Sequence, residues 1–239
     1  MALARAAGDL LLEIREDSGL TGRGLGDEGD ARVHEFLVAE LDAQRPADSV
    51  LSEEGADDTA RLSNSRVWIV DPLDGTREYS EGREDFAVHV ALWQDGELVA
   101  GAVGLPGLGT VLSTGGVEGA DRQVGPLRLA VSRTRAPELV SRVAAELSAE
   151  LVPMGSAGFK VGAVVRGVVD AYVHDGGQYE WDSAAPVAVA RAAGLHATRI
   201  DGSTLEYNQP DVWLPDLVVT RQEVADRVMG AIQTARTTS

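Results

Sequence analysis

The chain has 239 residues, 44% of them hydrophobic, with a formal net charge of −17 and no cysteine. This composition supports a sizeable core in one large domain or two small ones sharing an interface. It excludes disulfides, thiolate metal sites and cysteine nucleophiles, and with them any generic basic footprint for a nucleic-acid polymer or a polybasic membrane patch.

Ala2 to Glu16 carries Leu3, Ala7, Leu10, Leu11 and Ile14 at helical spacing, which predicts an amphipathic helix ended by Asp17-Ser18-Gly19. This start lacks a basic segment followed by an uninterrupted apolar core, so no signal peptide is expected. No apolar run reaches the roughly 18 residues of a membrane span, and a cytoplasmic location is expected. Leu20 to Gly29 is glycine-rich and reads as a mobile loop. Asp30 then opens a second helix with Val33, Phe36, Leu37, Val38 and Leu41 as its apolar side. Ser49 to Ser52 is a short strand leading into Glu53-Glu54-Gly55, and Ala56 to Asn64 is polar and expected to be exposed.

Val67 to Val70 reads as a buried strand. Pro72 cannot donate to a sheet ladder, so the strand is expected to end at Asp71. Phe86 to Trp93 is a further strand, Asp95-Gly96 a hairpin signal, and Leu98 to Gly104 with Thr110 to Ser113 continue an antiparallel meander. Leu127 to Val131 is a strand, and Pro137 to Glu150 a helix with proline in its first turn. Leu151 to Pro153 is strand-like, Phe159 to Arg166 helical, Val168 to Val173 a strand, and Gly176-Gly177 a loop. Trp181-Asp182 begins a helix over Ser183 to Ala193, with Pro186 in its first turn and Gly194 as its stop. A strand near Ala197 to Ile200, another over Leu217 to Thr220 and a helix over Gln222 to Ala235 complete the pattern. The meander-rich first half and the alternating second half divide near Pro126 into lobes 1–126 and 127–239.

Acidic residues stand at three element ends: Glu53-Glu54 after a short strand, Asp71 and Asp74 after another, and Asp182 at a helix start. Alone, each has a plain reading as a solvated turn or an N-cap. Together they suit hard divalent cations, which take carboxylate oxygens. If loops bring them to one place, Asp71 bridges two cations about 4 Å apart, as in two-metal phosphatases. Glu53 and the Leu73 carbonyl complete one ion, and Asp74 and Asp182 the other. Thr76 holds an attacking water, oriented by Glu53 or Asp30, while the Gly75 and Thr76 N–H groups grip phosphate oxygens. Bound cations also answer the charge problem, because the field of so acidic a protein otherwise opposes an anionic substrate.

Ser52-Glu53-Glu54-Gly55, Asp71-Pro72-Leu73-Asp74-Gly75-Thr76 and Trp181-Asp182-Ser183-Ala184-Ala185 resemble, in order, the three motifs of the inositol monophosphatase superfamily of Mg²⁺-dependent, lithium-sensitive phosphatases. Gly155-Ser156-Ala157 and the Asp170-Ala171-Tyr172 strand also match. Ser132-Arg133, Lys160 and Leu205-Glu206-Tyr207-Asn208 are similar to the CysQ-type branch, which removes the 3′-phosphate of 3′-phosphoadenosine-5′-phosphate. The resemblance implies an α/β (α+β) chain folded as a layered αβαβα sandwich. It implies two or three Mg²⁺ ions and a small phosphorylated substrate, handled by a monomer or homodimer. Where many members carry Lys and then Thr-x-Ala-Asp, this chain has Gly26-Asp27-Glu28-Gly29-Asp30; only Asp30 aligns. Substrate contacts are expected from Asp74, Gly75, Thr76, Arg133, Gly155, Ser156, Lys160 and Asp182, with Tyr179 and Tyr207 flanking an adenine ring. The four histidines show no metal spacing and read as surface or core residues.

A haloacid-dehalogenase phosphatase would need its second Asp two residues after Asp71, where Leu73 stands. An acidic cation-binding domain would use the same carboxylates without requiring Thr76.

Overall fold

The computed structural model describes residues 1–121, 125–134 and 136–237. The described residues form two five-stranded sheets. In the first, β1 (Ser49–Ser52) runs parallel to β2 (Arg66–Asp74). The strands β3 (Ala87–Gln94), β4 (Glu97–Leu105) and β5 (Thr110–Ser113) then follow antiparallel, in chain order. Asp95 and Gly96, both at positive φ, make the β3–β4 hairpin turn. The second sheet has the order β7-β6-β8-β10-β9, built from β6 (Arg128–Ser132), β7 (Glu150–Met154), β8 (Ala171–Tyr179), β9 (His196–Thr198) and β10 (Trp213–Thr220). Part of the link between the sheets, residues 122–124 beside the expected division at Pro126, lies outside the described residues.

Three helical layers enclose these sheets. Helices α1 (Ala2–Asp17) and α2 (Gly22–Gln44) cover the outer face of the first sheet. The short α3 (Thr76–Ser80) follows β2 directly. Helices α4 (Glu138–Leu147) and α7 (Ala225–Thr237) cover the outer face of the second sheet. Between the sheets lie α5 (Ala157–Val165) and α6 (Glu180–Ala192), apolar on nearly every side, as a helix buried on both faces must be. The alanines of α6 let it sit against β4: a Cβ on Gly101 would stand 2.7 Å from that of Ala188. The αβαβα sandwich expected from the sequence is the architecture observed. No helix among the described residues is long and apolar enough to cross a membrane.

Four local expectations need correction. Leu20–Gly29 is not a loop, because α2 begins at Gly22. Its glycines serve close packing: a Cβ on Gly26 would come within 2.7 Å of the Thr76 methyl, and one on Gly29 within 3.0 Å of the Tyr79 ring. Strand β2 does not stop at Asp71 but runs through Pro72 to Asp74. There Asp71 pairs with His89 and Asp74 with Ala87, so three residue steps oppose two in a β-bulge. Gly176 and Gly177 lie inside β8, also at an irregular register, where the Trp213 ring covers Gly177. Helix α6 starts at Glu180, so Pro186 is interior and withholds an N–H from the turn that carries Asp182. The polar stretch before β2 also hides one side chain. Arg61 is fully buried, bonded to Asp57, the Asn208 side chain and the Gln209 carbonyl, and so ties the stretch before β2 to the stretch before β10.

Candidate active site

The β2 bulge determines where its acidic groups go. Asp71 is fully buried; its Oδ1 accepts from the Leu73 N–H at 3.0 Å, and its Oδ2 has no hydrogen-bond partner. Asp74 turns toward α5 and caps it. It accepts from the Ser156 hydroxyl, from the Ala157 N–H at 3.1 Å and from the Gly158 N–H at 2.6 Å. Gly75 (φ +94°) allows the chain to reverse there, and a Cβ would also meet Ser156 at 3.2 Å. Thr76 shares its hydroxyl proton between Asp30 and the Leu73 carbonyl, each at 3.1 Å. Asp182 is not the N-cap, which is Tyr179, but stands at the third helical position and reaches back to accept the Tyr179 N–H at 2.6 Å, which engages only one of its oxygens. Asp71, Asp74 and Asp182 offer ligand oxygens all within 4.8 Å of one another.

The electrostatics follow from this crowding. Burial, then the charges of Asp74, Glu53, Asp182 and Asp30, holds the Asp71 carboxyl well above the usual range. Burial chiefly raises Asp30 to about 7 and, with the charge of Asp74, Asp182 to about 6. Glu53, although its side chain is partly open to solvent, is raised to about 7, first by desolvation and then by Asp182. Asp74 is the exception. Burial opposes its charge, but the adjacent His89 and the donors of α5 outweigh that and bring it to about 2. His89 is fully buried, its Nδ1–H donating to the Trp181 carbonyl at 2.9 Å. Its Nε2 lies 3.2 Å from Asp74 Oδ2, a charge contact off the line of a hydrogen bond. A buried carboxylate group with unpartnered oxygens on Asp71 and Asp30 calls for positive charge, and its all-oxygen donor set suits Mg²⁺.

A cleft of about 800 Å³ opens from this cluster along β8, lined by Glu53, Asp74, Gly75, Ser156, Lys160, Tyr179 and Asp182 among others. Lys160 is almost fully buried, its ammonium 5.2 Å above the Tyr172 ring, and burial lowers its pKa. Tyr179 is half exposed and stacks on Trp181 at 4.9 Å. Arg133 bonds to Glu78 and Glu81, and Gly155 donates its N–H to Asp85 and leaves no room for a Cβ beside Glu78. Tyr207, expected at an adenine ring, is buried instead, within hydrogen-bond distance of Ser183 at 3.1 Å. His89 was read only as a surface or core histidine, and Gln178 had no place in the sequence reading. A polar residue inside an apolar strand was the only signal for the first, and its burial could not be read from spacing.

Carboxylates gathered at a strand end beside a helix N-terminus, at the head of a cleft, are the arrangement that a cation-dependent hydrolase of phosphate esters requires. A family model described as the inositol monophosphatase family matches residues 1–236, and the chain belongs to that family of metal-dependent phosphatases. A protein of Mycobacterium leprae (strain TN) named 3′-phosphoadenosine 5′-phosphate phosphatase is 51% identical, covering 97% of this chain and 91% of that protein. A protein of the same name from Mycobacterium tuberculosis (strain CDC 1551 / Oshkosh) is 50% identical over 96% and 90%. Among solved structures, CysQ from Bacteroides thetaiotaomicron superposes with a TM-score of 0.78 at 29% identity, covering 92% of this chain and 94% of that one.

Proposed function

We propose that the chain hydrolyses the 3′-phosphate of 3′-phosphoadenosine-5′-phosphate, yielding AMP and inorganic phosphate, and that it does so in the cytoplasm. The two mycobacterial relatives at 50–51% identity support the substrate. The observation that carries the chemistry is the meeting of Asp71, Asp74 and Asp182 at the head of the cleft. Asp71, Glu53 and the Leu73 carbonyl, with Asp74 and Asp182, would hold two or three Mg²⁺ ions. When bound, these ions neutralise the phosphate, lower the pKa of water and shield the leaving oxygen.

The chain's own groups do the rest. Thr76, fixed by Asp30 and the Leu73 carbonyl, orients the water, and Asp30, whose pKa lies near 7, takes its proton alongside Glu53. Gly75 and Thr76 present N–H groups to the phosphate oxygens. The first lobe (1–126) thus supplies most of the metal site, and the second (127–239) receives the alcohol. Lys160, Ser156 and Tyr179 face that part of the substrate, with Gly155 and Arg133 shaping it at one remove through Asp85 and Glu78.

The test is phosphate release under matched Mg²⁺ from 3′-phosphoadenosine-5′-phosphate, inositol 1-phosphate and fructose 1,6-bisphosphate, with and without Li⁺. The bisphosphate nucleotide should have the highest kcat/KM, and Li⁺ should inhibit. A preference for either sugar phosphate would overturn the substrate.

A further inference from the structure

We propose that Gln178 reads the edge of the purine base and so determines which leaving alcohol the cleft accepts; this rests on the nucleotide reading above. Gln178 lines the cleft from β8, two positions beyond Gly176 and next to Tyr179. It is only 7% exposed, yet neither its Oε1 nor its Nε2 has a hydrogen-bond partner. Buried polar groups left unpaired destabilise a fold, and one that persists in a ligand cleft calls for an explanation. Its polar neighbours are already engaged. Glu180 accepts the Asn208 and Gln209 N–H groups, and His174 Nε2 lies 2.9 Å from the Gly177 carbonyl of its own strand. Across the sheet Gln178 pairs in register with Leu214, whose buried side chain offers no partner.

The chemistry of the free group narrows its ligand. A lone hydroxyl satisfies half of an amide; a donor and an acceptor side by side satisfy both halves. Adenine presents such a pair at its amino group and adjacent ring nitrogen, and a glutamine amide matches it bidentately. Both amide atoms lie beneath the cleft surface, so the side chain must rotate to present them to a ligand, and the broad terminal torsion of glutamine makes the last part of that turn easy. The residue after it supplies the second element of base recognition: the Tyr179 ring, 47% exposed and backed by Trp181, is a stacking surface. A stacking ring and an amide lining one cleft fit a flat heterocycle; a cyclitol or sugar has no flat face to stack.

The experiment compares the parent with Gln178→Met on 3′-phosphoadenosine-5′-phosphate, on the same nucleotide lacking the 6-amino group, and on p-nitrophenyl phosphate. The parent should favour the amino-bearing base by about 10-fold in kcat/KM, mostly through KM, as one bidentate contact implies. Gln178→Met should bring that ratio close to one and lower the ratio of nucleotide to aryl-phosphate kcat/KM by a similar factor. A preference that survives in the variant, or an equal loss on all three substrates, overturns the proposal. If Gln178→Met fails to fold, Gln178→Glu keeps the shape and removes the N–H donor. An unchanged nucleotide-to-aryl ratio in that variant overturns the proposal equally. A parent that prefers inositol 1-phosphate to the nucleotide defeats the nucleotide reading itself, before any variant is measured.

Discussion

The two ends of the cleft solve opposite problems. At its head, Asp71, Asp74 and Asp182 are packed so closely that charge is the difficulty, and each contact there restrains a carboxylate. Along the wall formed by β8 and α5, Gln178 keeps an amide with no hydrogen-bond partner, Tyr179 is half exposed, and Lys160 is a buried cation over the Tyr172 ring. On the proposed reading, the head acts on the phosphate whatever alcohol carries it, while the wall differentiates among alcohols. Damage at the head should reduce turnover on every substrate, and damage at the wall should reduce it selectively.

The sharpest test of the head is Asp71→Asn. Losing one partner of a buried charge contact costs about 3–5 kcal/mol, so kcat/KM should fall by roughly 10²–10⁴ on nucleotide and aryl phosphate alike. A near-normal rate at saturating Mg²⁺ would remove Asp71 from the centre of the site. Thr76→Ala should follow, with kcat down by about 10²-fold and Mg²⁺ affinity retained by calorimetry. Loss of metal together with turnover would make Thr76 a scaffold residue instead. At the wall, Tyr179→Ala removes a stacking surface worth about 1–3 kcal/mol per base. It should raise KM for the nucleotide roughly 5- to 100-fold and leave p-nitrophenyl phosphate far less affected.

The same contrast explains what could be read from the sequence. Carboxylates at the head were legible because metal chemistry demands particular residue types at short spacing, and the three motifs supplied them. The wall was legible only where a residue type is suggestive by itself, as with Lys160 and Tyr179. Gln178 gave no signal, since its importance lies in being buried without a partner. The order of elements could also be read, while their layering came only from the resemblance to the family, and α2 was mistaken at its start because glycine lowers helix propensity. Contact with Thr76, Tyr79 and Leu73 outweighs that preference. The run of β2 through Pro72 and of β8 through Gly176-Gly177 was hidden for a related reason: both depend on bulges, which only the partner strand reveals.

A stability measurement sharpens the account of the head. Asp30, Glu53 and Asp182 have folded-state pKa values of about 7, 7 and 6, above those of the unfolded chain. Groups raised in this way favour the fold at low pH, and that contribution is lost as pH rises through the folded values. Without divalent cations the protein should therefore melt at a lower temperature at pH 8 than at pH 5.5. An ion present at about 100 times its Kd adds ~2.7 kcal/mol, about 5–10 °C for a chain of this size, and this gain should be larger at pH 8. Equal Mg²⁺ shifts at both pH values would show that these carboxylates do not face the ions.

The smallest effect belongs to Gly26→Ala, which tests how α2 supports the head. Alanine in place of a helical glycine favours the helix by up to about 1 kcal/mol. Against this, the new methyl would lie 2.7 Å from the Thr76 methyl. Thr76 cannot rotate that methyl away while its hydroxyl bridges Asp30 and the Leu73 carbonyl. Overpacking of this kind costs about 1–3 kcal/mol, so the net loss should be about 0–2 kcal/mol and the melting temperature should fall by no more than about 8 °C. The strain falls on Thr76, the residue proposed to orient the water. The variant should accordingly lose more in kcat, about 5- to 10-fold, than its small stability change suggests, with little change in nucleotide KM. A variant that melts lower but turns over normally would show that the contact between α2 and Thr76 serves the fold alone.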